Sequence, residues 1–275
     1  KPAGALVCKP FRNFPAAAMH AESHEEAAMT TNTRMENLYQ QITLVRGAGD
    51  RSHGKLCIMS FVAFLAGEGH SDDPATASAV IRRFAITIND EMPDHFRQRL
   101  KPFAPRIIGT RDGHDRVRAD LLIDAVQLEL LPQIAADFSD ATAARIQASY
   151  AGWKHRRPES LAEFRQRVIH MVLCAGDIRD TYTCQAVASA VARLIAFCAR
   201  TAGTSAQREW YWLKAIELLD RLCDVGSERG RPQVSEEHLA EMAEFLERRG
   251  QWAQRRSRAM EAFVRVRNLF PVLIG

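Results

Sequence analysis

Apolar residues recur along this chain with a helical period, and no segment shows an alternation long enough to build a sheet. In "RMENLYQQITLV" (34–45), Met35, Leu38, Ile42 and Val45 fall on one helical stripe. "KLCIMSFVAFLAG" (55–67) is apolar nearly all round, which predicts a buried helix. Gly67 or Gly69 is its expected stop, because glycine enters the left-handed C-terminal cap without a Cβ clash. Further helices are expected over 74–90, over 114–138 with a kink at Pro132, and over 140–153 and 158–174. Short helices broken near Pro102 and Pro105 fill 94–108, and the last helices run over about 183–200, 204–224, 235–248 and 250–269. Ser235 stands as N-cap of "SEEHLAEMAEFLERRG", with Gly250 as its stop. The fold class read from this pattern is all-α, a multi-helix bundle that can divide into two helical lobes.

Composition narrows the class. The chain of 275 residues is 47% hydrophobic and 25% charged, a balance that supports a packed core rather than a disordered chain. The run "AVASAVARLIAFCA" (186–199) contains Arg193 and falls short of the ~20 residues of a membrane span, so no membrane partner is expected. Residues 1–30 lack a clean apolar signal region and are expected to be weakly ordered, with Met19 or Met29 as a natural start. Two helical units are expected beyond them, 31–138 and 139–275. The six cysteines form no C-x-x-C pair, so no structural zinc site is expected. Cys57, Cys174, Cys198 and Cys223 sit in apolar helical patterns as core thiols, consistent with a reduced, cytoplasmic protein.

One loop concentrates polar side chains. "GEGHSDDP" (67–74) holds Glu68, His70, Asp72 and Asp73. Glu68, His70 and Asp72 are weak candidates for a catalytic or metal-binding set, with oxygen and nitrogen ligands and a histidine that titrates near neutral pH. The spacing matches no motif tied to a backbone shape. A helix start explains much of it. Asp73 before Pro74 suits an N-cap, and Asp72 adds negative charge at the helix's positive end. Asn89 and Asp90 can reach back to this loop or end their own helix.

The segment that contains this loop resembles one found in uncharacterised bacterial and phage proteins. That pattern runs Cys-x-Met, Gly-Glu-x-x-Ser-Asp-His-Pro, Asn-Asp, then a proline-rich stretch ending in Gly-Thr. The matching residues are Cys57, Met59, Gly67, Glu68, Ser71, Asp72, Pro74, Asn89, Asp90, Gly109 and Thr110, within about 55–125. The resemblance implies an all-helical unit and brings no established activity. Ser60 replaces a glutamate of the pattern and Asp73 a histidine, so a shared metal site would lose a ligand at each.

"RRGQWAQRRSRAMEAFVRVRNLF" (248–270) is strongly basic, with seven arginines and Glu261 as the one acid. On a helix Trp252, Met260, Phe263 and Val264 share a face, and Arg249, Arg256 and Arg267 fall on or beside it. Arg249, Trp252, Arg255, Arg256 and Arg258 are the candidate binding residues, suited to an acidic protein partner or, with less support, to nucleic acid. The plainer alternative is a solvated face whose arginine stems cover apolar surface. In "REWYWLKAIELLDRL" (208–222), Trp212, Ile216 and Leu219 fit a core stripe, which leaves Trp210 or Tyr211 at a surface.

Nucleophile elbows, P-loops, dinucleotide glycine motifs and H-E-x-x-H are absent from the sequence, so no cofactor or metal is expected. Read alone, the sequence predicts a helical interaction protein without catalytic chemistry of its own. An enzyme centred on Glu68, His70 and Asp72 is one alternative, and a nucleic-acid-binding accessory factor the other.

Overall fold

The computed structural model describes residues 33–137, 181–230 and 234–269. Residues 1–30, the helices expected over 140–153 and 158–174, and the boundary expected between residues 138 and 139 lie outside them. The described chain is all-α apart from one small sheet.

Helix α1 (33–41) buries Met35 and Leu38 and stops before the stripe read from sequence does. The β-branched run Ile42-Thr43 leaves the helix, and Thr43–Leu44 becomes β1. β1 pairs in parallel with β3 (Lys55–Leu56), which pairs antiparallel with β2 (Gly49–Asp50). These two-residue strands are too short to show any period in the sequence. The side-chain amide of Gln98 finishes the edge: Leu44 N donates to its Oε1 at 3.0 Å and its Nε2 donates to Leu44 O at 2.8 Å. Gly49 fixes the sheet's register. Its φ is +76°, and a Cβ there would lie 2.2 Å from Lys55 O.

Helix α2 (Ile58–Leu65) is buried at all eight positions, as its apolar sequence predicts. Cys57 caps its start, its sulfur accepting from Ser60 N at 3.2 Å. Gly67 ends it at φ +73°, with Gly67 N donating to Phe64 O and Glu68 N to Ala63 O. Those two bonds form the Schellman cap.

Helix α3 (Ala79–Glu91) begins five residues after Pro74, which corrects the expected start. Residues 74–77 form a turn in which Ala77 N donates to Pro74 O at 3.2 Å. The N-cap is Ser78, whose Oγ accepts from Ile81 N at 3.3 Å. Ser78 outcompetes Asp73 because it is also held from outside: its N donates to Thr110 Oγ1 at 2.9 Å and its Oγ donates to Asp115. Asp73 instead pairs with Arg82 one turn into the helix.

Short pieces follow, α4 (Asp94–Arg97), a 3-10 segment (Gln98–Phe103) and α5 (Ala104–Ile107), in the region where prolines were expected to break the helix. Helix α6 (Asp115–Ala125) passes through a π-helical segment (Val126–Leu130) into α7 (Leu131–Asp137). The expected kink at Pro132 takes this form. Pro132 has no N–H for the carbonyl of Leu128 and its ring crowds that carbonyl, and the wider π turn relieves both.

Helices α8 (Thr181–Thr201) and α9 (Ser205–Asp224) complete the core. α8 packs on α3, α6 and α9. Residues 182–201 are long and apolar enough to cross a membrane by length and composition, yet 67% of the most apolar window is buried inside the protein. Val187, Val191, Leu194, Ile195 and Cys198 face that interior, and Arg193 is exposed. α9 opens with a capping box of Thr204 and Gln207. Trp212 and Leu219 are buried as expected. So is Tyr211, whose hydroxyl donates to Asp137 at 2.9 Å. Trp210 is the aromatic left half-buried, edge-on to Tyr211 with centroids 5.0 Å apart.

Two buried polar hubs lock these layers. Asn89 accepts from Ile58 N at 3.2 Å and donates to Val45 O at 2.9 Å, while Asp90 accepts from Gly47 N at 2.9 Å. The pair thus holds the 45–47 turn and the start of α2, rather than reaching back to residues 67–74. Arg118, with no exposed surface, grips Asp112 through two bonds of 2.7 and 2.8 Å. It also donates to the carbonyls of Thr110, Leu222 and Val225. Burial disfavours the Asp112 carboxylate, but the hydrogen bonds and charge of Arg118 outweigh it and hold that carboxyl well below its usual range. The chain passes this site at Gly226 (φ +77°), where a Cβ would lie 2.6 Å from Asp112 Oδ2.

Candidate functional site

The last described helix, α10 (Glu236–Leu269), is one continuous element of 34 residues. Gly250, read from sequence as a stop, lies inside it. A glycine costs a helix interior about 1 kcal/mol, and the Glu, Leu, Arg, Gln and Ala residues around it are good helix formers. Ser235 does open the helix, its Oγ accepting from His238 N at 3.2 Å.

The first part of α10 docks on the body. Leu239, Met242 and Leu246 are buried. Phe245 meets Phe64 of α2 edge to face, with centroids 6.1 Å apart. The Arg51 guanidinium sits 4.2 Å from the Phe64 ring centre and 5.2 Å from that of Phe245, which clamps the helix through cation–π contact. Asp50 fixes the turn that presents Arg51. It accepts from Ser52 N at 2.8 Å, Ser52 Oγ at 2.6 Å and His53 Nδ1 at 2.6 Å, and these bonds, Ser52's first, bring its carboxyl down to about 2. His238 Nε2 lies 3.1 Å from Phe64 O, so that nitrogen is the donor.

This docking sets the acidic half of α10 against the end of α2. His238 lies against Gly67, the first residue of the "GEGHSDDP" loop, with ring atoms 3.6 and 3.7 Å from where a Cβ would stand. Inside the loop the polar side chains diverge in role. Glu68 Oε2 accepts from Ala75 N at 2.8 Å and closes the turn. Ser71 Oγ accepts from Asp73 N at 2.9 Å, and Asp73 pairs with Arg82. His70 and Asp72 are exposed. Among the described residues no three histidine, cysteine, aspartate or glutamate side chains are grouped to hold a metal ion.

Beyond Leu246 the character of α10 changes. Every later residue whose side chain is described is exposed, including Arg248, Arg249, Arg255, Arg258 and Met260. Met260 keeps 56% of its surface open although it continues the apolar side of the helix. The side chains of Trp252 and Arg256 lie outside the described set. At 1.5 Å per residue this stretch is about 35 Å long. Charge divides at the same point: 236–247 holds five glutamates and no lysine or arginine, and 248–269 holds seven arginines and one glutamate. Acid at the N-terminal end and base at the C-terminal end both suit the helix dipole.

Sequence reasoning missed Arg51, His238 and Phe245 as the residues that seat α10. Arg51 lies in a turn without periodicity, and only its meeting with two distant rings gives it a role. The chain matches no family model, no curated protein and no solved structure. The fold itself defines the class, an all-α protein in which the last described helix is docked by its acidic half and exposed at every described side chain of its basic half.

Proposed function

We propose that this is a helical interaction protein without catalytic chemistry of its own, and that the basic half of α10 binds an acidic protein partner. The observation that carries the reading is that, in a helix that runs on to Leu269, every described side chain after Leu246 is exposed. A basic, exposed helix held at one end by a packed body presents its charge in a fixed direction. Arg249, Arg255 and Arg258 supply forked donors that match carboxylates, and Trp252 and Arg256 belong to the same segment. The loop residues Glu68, His70 and Asp72 give the enzyme reading no comparable support, since Glu68 is engaged by Ala75 N and the other two are exposed.

Fluorescence anisotropy tests the proposal with a labelled poly-glutamate peptide and, in parallel, a short duplex DNA. The peptide is expected to bind, and Arg255→Ala/Arg256→Ala/Arg258→Ala to weaken it at least tenfold. Failure of the unaltered chain to bind, or equal binding by the triple variant, overturns the reading. Tighter binding of the duplex with a steep salt dependence replaces the acidic protein by nucleic acid.

A further inference from the structure

The exposed face of α10 carries an order of charges that fits a second copy of itself. Glu237, Glu241 and Glu244, then Arg248, Gln251, Arg255 and Arg258, follow one another at alternating steps of four and three residues. That spacing keeps all seven on one stripe, and each is exposed. Leu239, Met242 and Leu246, buried against the body, lie on the opposite side of the helix. The stripe therefore points away from the body, and a partner helix can lie along it with the second body on the far side.

Resting on the reading of α10 as an interaction helix, we infer that the exposed stripe of α10 pairs antiparallel with the same stripe of a second copy of this chain. The order of charges selects the direction. A parallel pair sets glutamate on glutamate and arginine on arginine. An antiparallel pair centred on Arg248 sets Glu237 opposite Arg258 and Glu241 opposite Arg255, twice each by symmetry. Arg248 already lies 3.5 Å from Glu244 of its own helix, so the axis holds two internally matched pairs rather than two bare cations. His238 lies 3.5 Å from Glu241, Arg34 reaches Glu236 at the stripe's edge, and exposed Glu247 and Glu261 stand one turn from stripe members. Exposed ion pairs are individually weak and screened by salt, so the dimer is weak and salt-sensitive.

Sedimentation velocity on the full chain, at about 50 and about 500 mM NaCl, reads the association. A dimer is expected at low salt, with at least tenfold weaker association at high salt. Glu237→Arg/Glu241→Arg makes the stripe nearly all basic, and Arg255→Glu/Arg258→Glu makes it largely acidic. Each variant alone is expected to be monomeric, and their equimolar mixture to form a heterodimer, because every reversed charge then meets its opposite. A monomeric unaltered chain at low salt, dimers of either variant alone, or a mixture that stays monomeric overturns the pairing. Glu237→Arg/Glu241→Arg keeps every arginine of the basic half, so its binding of poly-glutamate reports on the proposed function separately. Peptide binding without self-association sinks the dimer alone, and loss of both sinks the surface.

Discussion

Asn89 and Arg118 show how single buried polar residues fix this arrangement of helices. Asn89→Leu leaves Ile58 N and Val45 O without partners and is expected to cost about 2–3 kcal/mol, read as a lower urea midpoint at unchanged slope. Gly226→Ala forces a Cβ onto Asp112 in a left-handed backbone and is expected to cost at least about 2 kcal/mol in the same assay. Asp112 also gives the protein a pH dependence. Its carboxyl is depressed in the folded state, so the folded protein favours the ionised form more than the unfolded chain does. The resulting stability is complete above the ordinary carboxylate range near pH ~4 and is lost as pH falls below it. Acid titration of unfolding by circular dichroism should show that descent, and Asp112→Asn should flatten it while lowering stability at neutral pH. The sequence marks Asn89 and Asp90 as noteworthy but not what they touch. A local pattern shows that a residue can cap or bridge, and only the packed fold shows which backbone groups lack a partner.

At the scale of elements, helix type was legible wherever a stripe of apolar residues ran for two turns or more, as in α2, α8 and α9. Boundaries failed where two local signals competed. Asp73-Pro74 and Ser78 can both start a helix, and the contacts of Ser78 with Thr110 and Asp115, distant in sequence, decide for Ser78. Gly250 stands where a stop would be reasonable, yet good helix formers on both sides carry the helix through it. Gly250→Ala is therefore expected to strengthen α10 by about 1 kcal/mol and to slow amide exchange on both sides of position 250. Arg51→Ala removes the clamp on Phe64 and Phe245 and should speed exchange over 236–247, while α2 stays protected. Equal loss of protection in α2 would mean that Arg51 supports the core rather than the docking of α10.

For the whole molecule, α2 and the buried faces of α3, α6, α8 and α9 form the interior, and α10 adds a docked segment followed by one exposed at every described side chain. The basic C-terminal stretch and the "GEGHSDDP" loop were both legible as unusual, but the contact of Gly67 with His238, in the acidic half of α10, was not, because 171 positions separate the two. The central claim is that docking ends at Leu246 and binding begins beyond it. Deleting residues 248–275 tests this most directly, with urea unfolding and poly-glutamate binding measured on the same preparation. The account predicts an unfolding free energy within about 1 kcal/mol of the full chain and loss of the peptide. A truncated chain that unfolds, or one that still binds the peptide, contradicts it.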